Sequence, residues 1–276
     1  MLHYLSTHVF VNHRLTLALL DKISKSGISR IEIFCARQHL DYHNRAQLDE
    51  LSHWFRDAEL EVHSLHAPMF RDTIWGRSGP NAVISITEPE KGKRIAATDE
   101  IKRALEIAEL IPFRYLIQHI GVSGEEYDDR KVEAAFTSLE ELCIFAGQRG
   151  VEILIENIPN SLSTAERLVY FVHTTHLPVR FVFDTGHAHL MGGVEPEFEA
   201  MRDRIRSTHV HDNDGEKDSH LFPNCDRPGG IDWKETMTLL RSGQDRYPLL
   251  LELREVPEMG QPLEEIRRVF DRLENM

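Results

Sequence analysis

The sequence predicts an α/β fold, a single (β/α)8 TIM barrel that uses residues 1–276 as one domain. Three observations predict it. Eight short segments dense in Val, Ile, Leu and Phe recur along the chain, amphipathic stretches of helical period separate them, and 276 residues suit the roughly 250 that such a barrel needs. Segments apolar on both faces are what parallel strands buried on both sides require. A doubly wound open sheet usually has fewer strands, and no GxGxxG follows the first segment.

The expected strands, in order, are THVFVN (7–12), RIEIFCA (30–36), EVHSLHAP (61–68), FRYLIQHI (113–120), VEILIENI (151–158), VRFVFDTG (179–186), IRSTHVHD (205–212) and YPLLLELR (247–254). LTLALLDKISKSG predicts a helix closed by Gly27 as its C-cap residue. DDRKVEAAFTSLEELCIFAGQRG predicts another, opened by acidic residues and ended by Gly150. Further helices are expected over 44–60, 97–110, 161–174, 233–242 and 262–274. The stretch 69–94, MFRDTIWGRSGPNAVISITEPEKGKR, reads as one long loop, and a loop of that length in a compact domain is usually functional. It is a candidate lid.

Composition narrows the function. The formal net charge of −13 repels a polyanion at long range, which disfavours nucleic acid as a partner and favours a small molecule. No apolar run approaches the roughly 18 residues that span a bilayer, so no membrane partner is expected. The N-terminus lacks a basic start followed by a clean apolar stretch, and Cys35, Cys143 and Cys225 are odd in number with no CxxC. Reduced thiols and a cytoplasmic location are the expectation. Trp54, Phe55 and Trp233 are read as core residues, with an interface in a homo-oligomer as the other reading.

The active site of this fold lies at the C-terminal rim of its strands. There the third strand carries His66, the fourth His119, and the fifth Glu156 and Asn157. The sixth carries Asp184, with His187 just beyond. The seventh carries His209 and His211, followed by Asp218 and His220, and the eighth carries Glu252 and Arg254. Any one of these histidines alone is better explained as an ordinary loop residue. Unpaired buried carboxylates cost several kcal/mol each, however, so several at one rim imply cations among them. A solvated polar rim holding only water is the competing reading. Imidazole and carboxylate together suit Zn²⁺, Mn²⁺ or Fe²⁺ rather than Ca²⁺.

In LHAP, IENIPN, FDTGHAH, HVHDNDG, the Asp218–Ser219–His220 step, GGIDW and LELRE, the chain resembles the xylose-isomerase-like TIM barrel superfamily. That group includes sugar and sugar-phosphate isomerases and epimerases, and also endonuclease IV. The resemblance to the ketose 3-epimerase branch implies one divalent metal held by Glu156, Asp184, His211 and Glu252. There the two glutamates also serve as acid and base through a metal-stabilised enediolate, and His187 contacts substrate. The resemblance to endonuclease IV implies up to three Zn²⁺ on His66, His119, Glu156, Asp184, His187, His211, Asp218, His220 and Glu252, with His8 matching the opening strand.

The leading expectation is a metal-dependent isomerase or epimerase of a sugar, sugar phosphate or polyol, with catalytic Glu156 and Glu252. His8, Asn157, His209 and Arg254 are its candidate substrate-binding residues. The alternatives are a zinc-dependent phosphodiester hydrolase acting on abasic DNA and a non-catalytic sugar-binding barrel. The departure from both branches is LFPNCDRPGG (221–230), longer than the usual Gly-rich turn before IDW.

Overall fold

In the computed structural model, residues 1–242, 247–256 and 259–276 are described. Eight parallel strands run in the order β7-β6-β5-β4-β3-β2-β1-β8. They are β1 (Leu2–Ser6), β2 (Arg30–Phe34), β3 (Glu61–His66), β4 (Tyr115–His119), β5 (Glu152–Glu156), β6 (Arg180–Asp184), β7 (Ile205–His209) and β8 (Pro248–Leu251). The seam between β7 and β8 is joined by a parallel bridge of Val210 to Leu251, with Val210 N–H donating to the Leu250 carbonyl at 2.9 Å. The sheet thus returns on itself as a (β/α)8 barrel.

Nine helices surround it among the described residues: α1 (Leu17–Lys25), α2 (Arg45–Asp57), α3 (Lys91–Leu105), α4 (Asp129–Gly147), α5 (Ala165–Thr175), α6 (Thr185–Leu190), α7 (Val194–Met201), α8 (Trp233–Arg241) and α9 (Pro262–Glu274). Their starts follow local chemistry. The side chains of Thr16, Asn44, Asp128, Thr164 and Asp232 each accept a backbone N–H of the first turn, which satisfies donors that helix geometry leaves open. Helix faces and outward strand residues share one large core, in which Leu5, Ile31, Leu65, Leu116, Phe181 and Phe183 are buried. Inside the barrel Tyr115, Ile117, Leu154 and Val182 form a separate cluster. Strand alternation then puts His119, Glu156 and Asp184, two residues further on, along the same inward face.

Four expectations shift. The first strand is Leu2–Ser6 rather than 7–12, because Ser6 Oγ accepts the His8 N–H and Thr7–Phe10 closes into a 3-10 turn. Helix α3 begins at Lys91, so the long loop is shorter than 69–94 and contains a 3-10 turn at Gly79–Ala82. The fifth helix starts at Ala165 rather than near 161. Between β6 and β7 lie two short helices, α6 and α7, that no periodicity signalled. Trp233 is fully buried, as expected of core. No helix among the described residues is long and apolar enough to cross a membrane.

Candidate metal centre

The C-terminal ends of the strands enclose a cavity of about 410 Å³, lined by His8, His66, His119, Glu156, His187, Asp218, His220, Glu252 and Arg254 with the apolar Val11, Phe34, Met69 and Trp75. Trp75, from the long loop, stands edge-on to His8 with ring centroids 5.5 Å apart and also meets Phe34 at 5.1 Å. The loop therefore supplies one wall of the cavity. None of its basic residues Arg71, Arg77, Lys91, Lys93 and Arg94 lines that wall.

The donors fall into three groups whose ligand atoms lie within 4.8 Å of one another: His187, His211, Asp218 and His220; His66, His119 and Glu156; and Glu156, Asp184, His209 and Glu252. Adjacent groups share Glu156 or are linked by Asp184, whose carboxylate lies 3.0 Å from His211 Nε2. Asp184 also caps α6, accepting the His187 N–H at 2.7 Å. That cap turns the chain after β6, so that His187 faces Asp218 across the cavity with Nε2 at 3.1 Å from Oδ2.

The imidazoles are oriented by the backbone. Nδ1 faces a carbonyl oxygen in His66 (Ala67, 3.0 Å), His187 (Asn157, 2.9 Å), His211 (Asp212, 3.4 Å) and His220 (Glu252, 3.0 Å). A carbonyl only accepts, so Nδ1 carries the hydrogen and the Nε2 lone pair is left for the cavity. There, His66 Nε2 meets His119 Nε2 at 3.2 Å, and His220 Nε2 lies 3.3 Å from Asp218 Oδ1. Lone pairs facing lone pairs or carboxylates repel unless a proton or a metal cation lies between them. The donor set fits a divalent transition metal.

The electrostatics agree. Burial alone would hold the His187 and His220 rings neutral, yet the carboxylates win: Asp184 and Asp218 raise His187 well above the usual histidine range, and Asp218 with Glu252 lifts His220 to about 9. Burial would likewise raise Glu156 and Glu252, but His209 and neighbouring histidines hold both carboxyls well below the ordinary range. These carboxylates therefore stay ionised, and positive charge collects around them. His8 is the opposite case: burial first, then His220, push it down to about 3.

The predicted residues do not all meet. His209 is fully buried beneath the cavity, with Nδ1 at 3.1 Å from both Glu156 Oε1 and Glu252 Oε2. Asn157 is buried too, exchanging hydrogen bonds with the Asp184 backbone at 2.8 and 3.0 Å. Neither lines the cavity, and nor do the fully buried Asp184 and His211, which lie beneath its surface with His209. Arg254 is exposed at the rim and makes no ion pair among the described residues; Glu255 is engaged instead by Asn12 and His13. Two further residues carry the site without having been expected. Glu32, inside β2, accepts from Ser64 Oγ at 2.8 Å and lies 3.2 Å from His209 Nε2. Asp212 gathers the Asn213, Asn224 and Ile231 N–H groups, Arg227 Nε and Trp233 Nε1, which ties 221–230 down beside the site.

A barrel whose strand tips gather imidazoles and carboxylates around one cavity defines a class of protein. The chain belongs to the xylose isomerase-like TIM barrel family, whose model matches residues 20–276. An uncharacterized protein of Sinorhizobium fredii, y4fM, is 25% identical over 214 residues, covering 71% of this chain and 67% of that one. Among solved structures, a D-tagatose 3-epimerase-like protein aligns over 100% of this chain and 99% of its own, with a TM-score of 0.77 and 21% identity. The 3-keto-D-glucoside 4-epimerase YcjR of E. coli covers all of both chains with a TM-score of 0.75 and 14% identity. The IolI protein, solved with a binding zinc atom, covers 99% of this chain and 96% of its own with a TM-score of 0.73 and 20% identity. At these identities the structural likeness establishes the fold.

Proposed function

We propose that the protein is a metal-dependent isomerase or epimerase of a sugar, sugar phosphate or related polyol. The observation that carries this reading is the placement of Glu156 and Glu252. Glu156 ends β5 and Glu252 directly follows β8, three strands apart around the ring, and both carboxylates line one cavity while sharing the imidazole of His209. The epimerase names of the structural neighbours and the zinc of IolI support it.

Glu156, Asp184, His211 and Glu252 would hold the metal, as Mn²⁺, Zn²⁺ or Fe²⁺. When bound, such a cation supplies Lewis acidity to a substrate carbonyl and its neighbouring hydroxyl, making the C–H beside the carbonyl more acidic. One of Glu156 and Glu252 removes that proton as its ionised carboxylate. The other delivers a proton to the opposite face or to the adjacent carbon. His209, held from below by Glu32, keeps both carboxylates ionised and fixed. His66, His119 and His187 offer polar contacts to hydroxyls, and the wall of Val11, Phe34, Met69 and Trp75 excludes water.

The test is solvent exchange. The Mn²⁺-loaded protein, incubated with a panel of ketoses in D₂O, should incorporate deuterium beside the carbonyl of its substrate. Glu156→Gln and Glu252→Gln should each abolish incorporation while leaving the fold intact; full exchange in either variant would overturn the assignment.

A second reading has one observation in its favour. The three donor groups together are enough for a cluster of metals activating water against a phosphodiester. Cleavage of abasic DNA by a protein that exchanges no substrate deuterium would select it.

A further inference from the structure

At the opposite end of the barrel a second cavity, of about 590 Å³, opens among the N-terminal ends of β1, β2, β3, β4, β7 and β8. Its volume lies within the roughly 300–1,000 Å³ of small-molecule sites. Three guanidinium groups line it, those of Arg30, Arg114 and Arg206, and among the described residues Glu61 is the one lining carboxylate, with Glu152 3.8 Å from Arg114. This local excess of positive charge stands on a chain whose net charge is −13.

The three arginines are not equally committed. Arg30 is used by the fold, with Nε on Glu61 at 2.7 Å and Nη1 on the Tyr4 hydroxyl at 2.9 Å. Arg114 lies over the Tyr115 ring at 5.1 Å and reaches Glu152 only at 3.8 Å, beyond hydrogen-bond distance. Arg206 gives one N–H to the Ile205 carbonyl and has no carboxylate within 4.0 Å among the described residues. Both of these arginines line the cavity, together with Tyr115.

The floor is polar and kept uncharged. The register of β2 with β3 slips after Ile31, which leaves His63 without a partner in β2. The bulge lets His63 join the cavity between Tyr4 and Tyr115 and meet Ser207 Oγ at 3.2 Å. Burial first, then Arg30 and Arg114, push the ring down to about 3. A neutral imidazole and two guanidinium forks with spare N–H donors suit a doubly charged oxyanion better than a neutral sugar.

We infer that this basal cavity binds a phosphate-bearing small molecule, with Arg114 and Arg206 on the phosphate. The site is independent of the metal centre at the other end of the barrel, and of the reaction proposed for it.

Calorimetric titration of the intact protein with inorganic phosphate and with adenosine monophosphate tests the inference. Saturable binding of both is expected, because the phosphate group is what the guanidinium groups recognise. Arg114→Ala combined with Arg206→Ala should weaken it by about tenfold or more, whereas Asp184→Asn at the metal centre should leave it unchanged. Arg114 is largely exposed, so Arg114→Ala alone keeps the fold and must still weaken binding should the double variant fail to fold. Absence of saturable binding, binding that survives the arginine substitutions, or binding lost in Asp184→Asn would each overturn it.

Discussion

Glu32 Oε2 lies 3.2 Å from His209 Nε2, and both side chains are wholly buried below the candidate metal centre. The other ring nitrogen of His209 faces Glu156 and Glu252. Glu32 thus orients, from beneath, the imidazole between the two proposed catalytic carboxylates and, after Glu252, favours its charged form. Glu32→Gln should preserve the fold and weaken metal binding by about 10–100-fold, the usual cost of losing a partner behind the ligands. Titration of the metal-stripped variant with Mn²⁺ or Zn²⁺ measures it, and an unchanged affinity would remove Glu32 from the site.

Gly186 leaves room for the His211 ring. A Cβ at this position would overlap the His211 ring at Cε1 and Nδ1. Neither the ring nor the backbone of α6 can give way that far without losing the contact between His211 and Asp184. Gly186→Ala should therefore displace His211 and reduce metal affinity by at least about tenfold, read by the same titration. Retention of normal affinity would show that His211 is not a ligand.

Asp212 accepts from five donors, and it is their common anchor. Asp212→Ala leaves Arg227 Nε and several backbone N–H groups without their acceptor and should cost about 3–5 kcal/mol. Denaturant unfolding measures the loss. A change under about 1 kcal/mol would mean that water replaces the carboxylate at little cost.

Glu197 gives a pH dependence. Burial raises its carboxyl to about 7, against the pull of the Ala165 and Gly192 N–H groups. A carboxyl raised in the folded state favours folding when protonated. Its contribution is full below the ordinary carboxylate range and is lost as pH rises through about 7. Glu197→Gln, which stays neutral, should gain stability relative to the parent, with the gain growing by about 2 kcal/mol from about pH 5.5 to pH 8. Paired unfolding curves at the two pH values check this; a gain that does not change with pH would contradict it.

The sequence made the barrel legible because parallel strands buried on both sides leave continuous apolar runs such as VEILIE and VRFVF. It located the rim as well, since carboxylates at the ends of successive buried strands are costly unless cations offset them. Other features were hidden for physical reasons. THVFVN has the composition of a strand, but Ser6 caps the chain and ends pairing one residue earlier. Helices α6 and α7 are short and split by Gly192 and Gly193, so neither shows a period. Glu32 reads in RIEIF as the polar half of an alternating strand; only closure of the barrel buries it against His209. The carbonyls that turn four imidazoles toward the cavity leave no mark in residue types, because every residue has one. Arg114 and Arg206 look like ordinary solvated charges at strand starts until the strands close around a cavity.

The central claim is that converging carboxylates and imidazoles hold a divalent cation that serves proton transfer. Elemental analysis of the purified protein tests it most directly. One Mn²⁺, Zn²⁺ or Fe²⁺ per chain, lost in Asp184→Ala, is the predicted result. A protein that carries no metal and takes up none on titration, or that holds three Zn²⁺ tightly, would contradict it.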